Sequence, residues 1–162
     1  MITRSQGLHE AIAREIAREN PHAVFPLIRA FAESVLLVFY VADHPDYVNA
    51  LIDRPRNFGK GDPKRKSIQA LISYAKDHAP GMKDVYAELS EATHFGSTAM
   101  WASVTPEEER HVSWANSPRW RSDEQALIAC AQTLELADAM THLLTQFAER
   151  YVLPPEAKTD GD

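Results

Sequence analysis

One cysteine, Cys130, is all the thiol that the chain holds. That excludes an intramolecular disulfide framework, and its setting in an Ala/Leu-rich run reads as a core thiol of a protein kept in a reducing cytosol. Glycine is scarce as well, six in 162 residues, and none falls in a phosphate-cradling loop, a dinucleotide fingerprint or a Gly-x-Ser-x-Gly elbow. P-loop, Rossmann and serine-hydrolase readings are thereby weakened. Basic charge is outweighed, with 17 Lys and Arg against 23 Asp and Glu for a net charge of -6. A chain that coats nucleic acid with a generally basic surface does not look like this, although a local basic patch is still open to it. No apolar run reaches the roughly 20 residues of a membrane span. The opening MITRSQGLHEAI lacks the apolar core of a signal peptide, so a cytoplasmic protein without membrane contact is expected.

What the chain has is helical pattern. Residues 4 to 20 carry Leu8, Ile12 and Ile16 at four-residue intervals, an amphipathic helix that ends before Pro21. The following PHAVFPLIRAFAESVLLVFYVADH is apolar nearly all round, so its helix must be central. Its exceptions fall together: Arg29, Glu33 and Tyr40 share one side, with Arg29 and Glu33 an i, i+4 pair. Asp43, His44 and Pro45 read as a stop and restart, leading to a short helix through Val48, Leu51 and Ile52. A loop rich in Gly and Pro then holds Arg54, Arg56, Lys60, Lys64, Arg65 and Lys66, a basic patch able to meet phosphate or an acidic partner. Asp62 and Pro63 are expected to cap and open the next helix, which carries Ile68, Leu71, Ile72 and Ala75 on one face and stops before Pro80.

The stretch from Tyr86 to Trp101 bears the most unusual stripe. On a helix, Tyr86, Ser90, Thr93, His94, Ser97 and Trp101 fall within one arc of roughly 100°. Hydroxyls, an imidazole and aromatics suit a semi-buried hydrogen-bonding surface better than open solvent. Residues 101 to 116 alternate, which favours a small hairpin with Pro106 to Glu109 as its turn over a short helix opened by Thr105 and Pro106. From Ser122, followed by Asp123 and Glu124, a long helix runs to about Val152, burying Leu136, Ala137, Met140, Leu143, Leu144 and Phe147.

Chemistry is best sought where two helices meet. If the central helix packs against the Tyr86 helix, Arg29 and Glu33 face Tyr86, Ser90 and His94. Arg29 then supplies bidentate charge for an anion, His94 a titratable acid or base, and Tyr86 a stacking or donating group. Glu91 with His94 and Glu108 with His111 repeat the Glu-x-x-His spacing of di-iron bundles, and Asp138 and His142 share a face. Neither set builds a convincing ligand shell, so no metal and no cofactor is expected.

The Arg-x-x-x-Glu helix in RAFAESVLLVFYVADHPD and the Tyr-x-x-Leu-Ser-x-x-x-His helix in YAELSEATH together resemble a group of bacterial helical proteins of uncharacterised function. More loosely, the chain resembles the HEPN superfamily of helical bundles, some of whose members are RNases of toxin-antitoxin and phage-defence systems. The resemblance covers residues from about 25 to 100 and the last helix. It implies a homodimer. HEPN RNases resemble one another in an Arg, a polar residue and a His on one helix, and before His94 those positions hold Ala87, Glu88 and Leu89. Arg4 and His9 have the nominal spacing, with Gly7 between them. The resemblance therefore implies a member that binds a nucleotide, an RNA or a partner protein without standard cleavage, unless Arg29 supplies the cation from another helix.

The expected fold is an all-α bundle of four to five main helices, with a hairpin or irregular excursion near residues 102-118. It spans a single domain, 1-153, and a frayed tail, 154-162. The expected ligand site is Arg29, Glu33, Tyr86, Ser90 and His94, with the 54-66 loop at its rim. The competing readings are a protein-interaction module in which the same groups form a buried network, and a small-molecule enzyme with His94 as its catalytic acid or base.

Overall fold

A computed structural model describes residues 2-52, 66-94, 103-106, 112-114 and 117-151. The fold is an all-α helical bundle: α1 (Ile2–Ala17), α2 (Pro21–Asp43), α3 (Tyr47–Ile52), α4 (Ile68–Ala75), α5 (Met82–Thr93) and α6 (Asp123–Tyr151). A short antiparallel ribbon, β1 (Val104–Pro106) with β2 (Val112–Trp114), is inserted before α6.

The apolar circumference of α2 determines the architecture. Burying it requires neighbours on every side, and α1, α4, α5 and α6 all pack on it. Val24, Ile28 and Ala32 are completely buried, and Phe31 nearly so. Contrary to the expectation above, this 23-residue helix is long and apolar enough to cross a membrane. The sequence reading was misled because Arg29 and Glu33 break the run; in this fold the apolar positions are spent on helix contacts.

A tight turn sends α1 back along α2. Glu19 sits at φ 56°, in the left-handed region. Its amide bonds the Ile16 carbonyl and the Asn20 amide the Glu15 carbonyl, each at 3.0 Å, the double closure of a Schellman turn. The Asn20 side-chain amide also donates to Glu15 Oε2 at 2.8 Å. By contrast, α6 runs alongside α2 in the same direction. Near their starts Phe25 and Trp120 meet edge to face at 6.1 Å, and near their ends Tyr151 Oη donates to the Ala42 carbonyl at 3.1 Å. Ser122 caps α6 as expected, accepting from the Gln125 amide at 3.2 Å. Cys130 is half-buried rather than a core thiol, because the buried line of α6 runs through its neighbour Ala129 and on through Thr133, Leu136 and Met140.

Several boundaries differ from expectation for local reasons. Ser67, not Asp62, caps α4: its backbone is extended and its hydroxyl accepts from the Ala70 amide at 3.2 Å. Asp62 and Pro63 lie outside the described residues. The helix carrying Tyr86 ends at Thr93 rather than near Trp101, with His94 leaving the helical conformation at φ -107° and ψ 43°. Ser90 and Thr93 turn their hydroxyls back onto the Tyr86 and Leu89 carbonyls, a local bonding pattern that weakens a helix end. Ser97 and Trp101 fall outside the described residues. The hairpin forms, but Pro106 pairs with Val112 within the ribbon instead of opening the turn. Proline is tolerated there because a two-stranded ribbon has open edges that need no amide donor.

An aromatic knot closes the far end of α2. Tyr40 stacks on His44 at 4.2 Å and meets Tyr47 and Tyr74 edge-on, while Tyr74 Oη donates to Asp43 at 2.8 Å.

The Glu19 conformation costs a side-chain-bearing residue about 1 kcal/mol, which glycine avoids. Glu19→Gly is accordingly expected to raise stability by about 0.5 kcal/mol, after the added chain entropy of glycine is deducted. Chemical denaturation of both proteins checks this, and a loss of stability would show that the turn is not strained.

Candidate functional site

The two charges of α2 meet α5 through one phenol. Tyr86 is buried at 4% exposure and its hydroxyl has two partners. It accepts from Arg29 Nε at 3.1 Å and donates to Glu33 Oε1 at 2.7 Å. Arg29 and Glu33 also touch directly, Nε to Oε1 at 3.3 Å, and the guanidinium carbon lies 5.1 Å from the Tyr86 ring centroid. Solvent still reaches both charges, whose side chains are 21% and 40% exposed. The ion pair alone therefore contributes little, on the order of 0–1 kcal/mol. The phenol couples it to a second helix.

The network continues to the surface. Arg29 Nη1 lies 2.7 Å from Nε2 of the exposed His94. Guanidinium groups only donate, so this contact is a hydrogen bond in the tautomer that accepts at Nε2 and carries its proton on Nδ1. Because His94 follows the last residue of α5 as its C-cap, its ring can fold back toward α2. Burial, followed by the hydrogen bond to the Glu33 carboxylate, holds the Tyr86 phenol above the usual tyrosine range. The hydrogen bond from Arg29 pulls the other way.

Four of the five expected ligand residues are thus brought together. Ser90 is the exception, since its hydroxyl donates to the Tyr86 carbonyl at 2.8 Å and forms no hydrogen bond with the Arg29, Glu33 or His94 side chains among the described residues. No family model matches the chain, and comparison with curated proteins and with solved structures gives no match. Function must be read from this geometry alone.

Of the basic loop, only Lys66 belongs to the described residues. Arg54, Arg56, Lys60, Lys64 and Arg65 lie outside the described residues. Lys66 is attached elsewhere, its amide donating to Tyr47 Oη at 2.7 Å and its ammonium 5.4 Å from the Tyr40 ring centroid. Tyr40 stands eleven residues beyond Arg29 on α2, about 16 Å along the axis. Arg4 and His9 both lie on α1 and turn to α2, Arg4 Nε toward Ser34 Oγ at 3.4 Å and the His9 ring toward Phe31 at 6.4 Å. Neither joins the cluster.

Sequence reading missed a cavity walled by α2, α5 and α6 that includes none of the five cluster residues. No motif announces it, because the small side chains that make the room read as ordinary packing.

Tyr86→Phe removes both bonds of the phenol and is expected to cost about 1 kcal/mol, since solvent can replace part of what Glu33 loses. In wild type the raised phenol pKa ties stability to the protonated form. That contribution is complete below the unfolded tyrosine value of about 10 and is lost as pH climbs through the higher folded value. Alkaline titration of phenolate absorbance should show a late component that Tyr86→Phe removes; Tyr74, also raised through its hydrogen bond to Asp43, remains as the internal reference. An unchanged late component would contradict this assignment.

Proposed function

We propose that this chain is a bacterial, cytoplasmic HEPN-like accessory or defence-type protein that binds the phosphate of a nucleotide or RNA at the Arg29–His94 edge of its α2–α5 cluster, without standard HEPN cleavage. The observation that carries the reading is the 2.7 Å contact between Arg29 Nη1 and His94 Nε2. It uses one face of each group and leaves Arg29 Nη2 and the Nδ1–H of His94 without partners among the described residues. A guanidinium edge and an imidazole N–H are the donors that a phosphate oxygen accepts from. Glu33 and Tyr86 hold the guanidinium from behind, so an incoming anion meets an arginine whose geometry is already fixed. The homodimer in this reading is supported by Leu127, Ile128 and Leu134, large apolar side chains that stand 48–68% exposed on α6.

A structural network is the second reading, favoured by the burial of Tyr86 and the pairing of both roles of its hydroxyl. His94 separates the two because it is exposed. Under the binding reading His94→Ala leaves the melting temperature within a degree or so of wild type, since exposed substitutions change stability by no more than about 0.5 kcal/mol. The same change weakens nucleoside-phosphate or RNA-oligonucleotide binding by about tenfold, and Arg29→Lys, which cannot keep the planar fork, weakens it further. Calorimetric titration with both ligand classes, alongside thermal melts, checks this. Absence of saturable binding, or equal affinity in wild type and both variants, would sink the binding reading. Accumulating RNA fragments that disappear in His94→Ala would instead establish cleavage.

A further inference from the structure

Both α5 and α6 lie against α2, yet they scarcely meet each other, and between them is a cavity of about 480 Å³. Its floor is the apolar side of α2, where Val35 and Phe39 keep some accessible surface and Ile28, Ala32 and Leu36 are sealed beneath. Small residues on the surrounding elements make the room: Ala75 and Ala79 at the end of α4, and Ala139 on α6. The polar groups in the wall are few. His78, Glu135 and His142 are exposed, so they lie toward the opening.

Helical bundles close-pack their interiors and keep few voids larger than a water molecule. Apolar cavities of roughly 150 Å³ already take up small hydrocarbons, and sites for organic ligands span about 300–1,000 Å³. A water on this floor would find no polar partners, whereas it needs two to four. The natural occupant is therefore aliphatic. Gln132 supplies a second, independent indication. It lines the cavity, and its Oε1 is buried with no hydrogen-bond partner among the described residues, so a ligand donor meets it when the side chain turns into the cavity. Such an orphan acceptor costs about 1–3 kcal/mol unless a donor reaches it.

We infer that this cavity is a binding site for a single linear alkyl chain ending in a hydroxyl, the chain lying along α2 and the hydroxyl donating to Gln132 Oε1. A free long-chain alcohol and a monoacylglycerol both present that chemistry. A carboxylate head does not, because it only accepts and has no proton to give Gln132 Oε1.

Calorimetric titration of the full chain with 1-decanol, 1-decanoylglycerol and decanoate tests the inference. One or both of the hydroxyl ligands should bind saturably at one site, and which one binds distinguishes the two sources. Decanoate should bind about fivefold or more weakly, and Gln132→Leu should remove that preference. Filling the cavity from α6 with Ala139→Phe, or from the opposite wall with Ala79→Phe, should weaken binding by about tenfold in a chain whose circular dichroism is unchanged. Two filling variants guard against one failing to fold. Glu124→Gln, on the exposed first turn of α6 and outside the cavity wall, should leave binding as it is. Absence of saturable binding by either hydroxyl ligand, or binding that survives both fillings, would overturn the site. A preference for the hydroxyl ligands over decanoate that is absent in wild type, or that persists in Gln132→Leu, would overturn the hydroxyl assignment.

Discussion

A helix apolar on nearly every side cannot be left at a surface, and the enclosure of α2 is the constraint on which this bundle depends. The Glu19 turn lays α1 antiparallel to it, and the Phe25–Trp120 and Tyr151–Ala42 contacts fasten α6 parallel to it at both ends. α4 and α5 cover the remaining sides. Enclosure on those terms conflicts with Arg29 and Glu33, whose charges lose hydration wherever a neighbouring helix comes close. The conflict is resolved by Tyr86, which brings an aromatic body to the contact and a hydroxyl that both accepts and donates.

Two consequences follow from the same enclosure. Where polar groups on α2 had to be met, α5 supplies a tyrosine and then ends, leaving His94 at the surface against the Arg29 guanidinium. Where only apolar groups had to be covered, α5 and α6 diverge and leave a cavity over Ile28, Ala32 and Leu36. The first place gathers a guanidinium, a carboxylate, a phenol and an imidazole, and the second has mostly apolar walls with, among the described residues, one buried acceptor that lacks a partner. They are chemically opposite and share no lining residue among the five cluster positions. A ligand suited to one has no purchase on the other.

Much of the bundle was legible in the chain because period and position carry it. The circumference of α2, the Ser122 cap of α6 and the coincidence of Arg29 and Glu33 with Tyr86 and His94 all follow from helical geometry. The misses have equally local causes. Asp62–Pro63 and Ser67 are both respectable helix starts, and only the extended backbone at Ser67 decides between them. The Ser90 hydroxyl, on the Tyr86 stripe, donates to the carbonyl one turn back and so stays out of the side-chain network. Lys66 was grouped with the site by charge, while stacking over Tyr40 places it at the opposite end of α2. The cavity left no trace, since alanines that face a void and alanines that face a neighbour are the same letters.

The central claim is that Arg29 holds His94 as a hydrogen-bond acceptor across the α2–α5 contact. Nitrogen-15 NMR of the imidazole reads it directly, because protonated and lone-pair ring nitrogens resonate far apart. The account predicts that neutral His94 carries its proton on Nδ1, with Nε2 showing the lone-pair signal shifted by the guanidinium N–H, and that Arg29→Ala abolishes this shift. A proton on Nε2 of neutral His94, or a spectrum indifferent to Arg29, would contradict it.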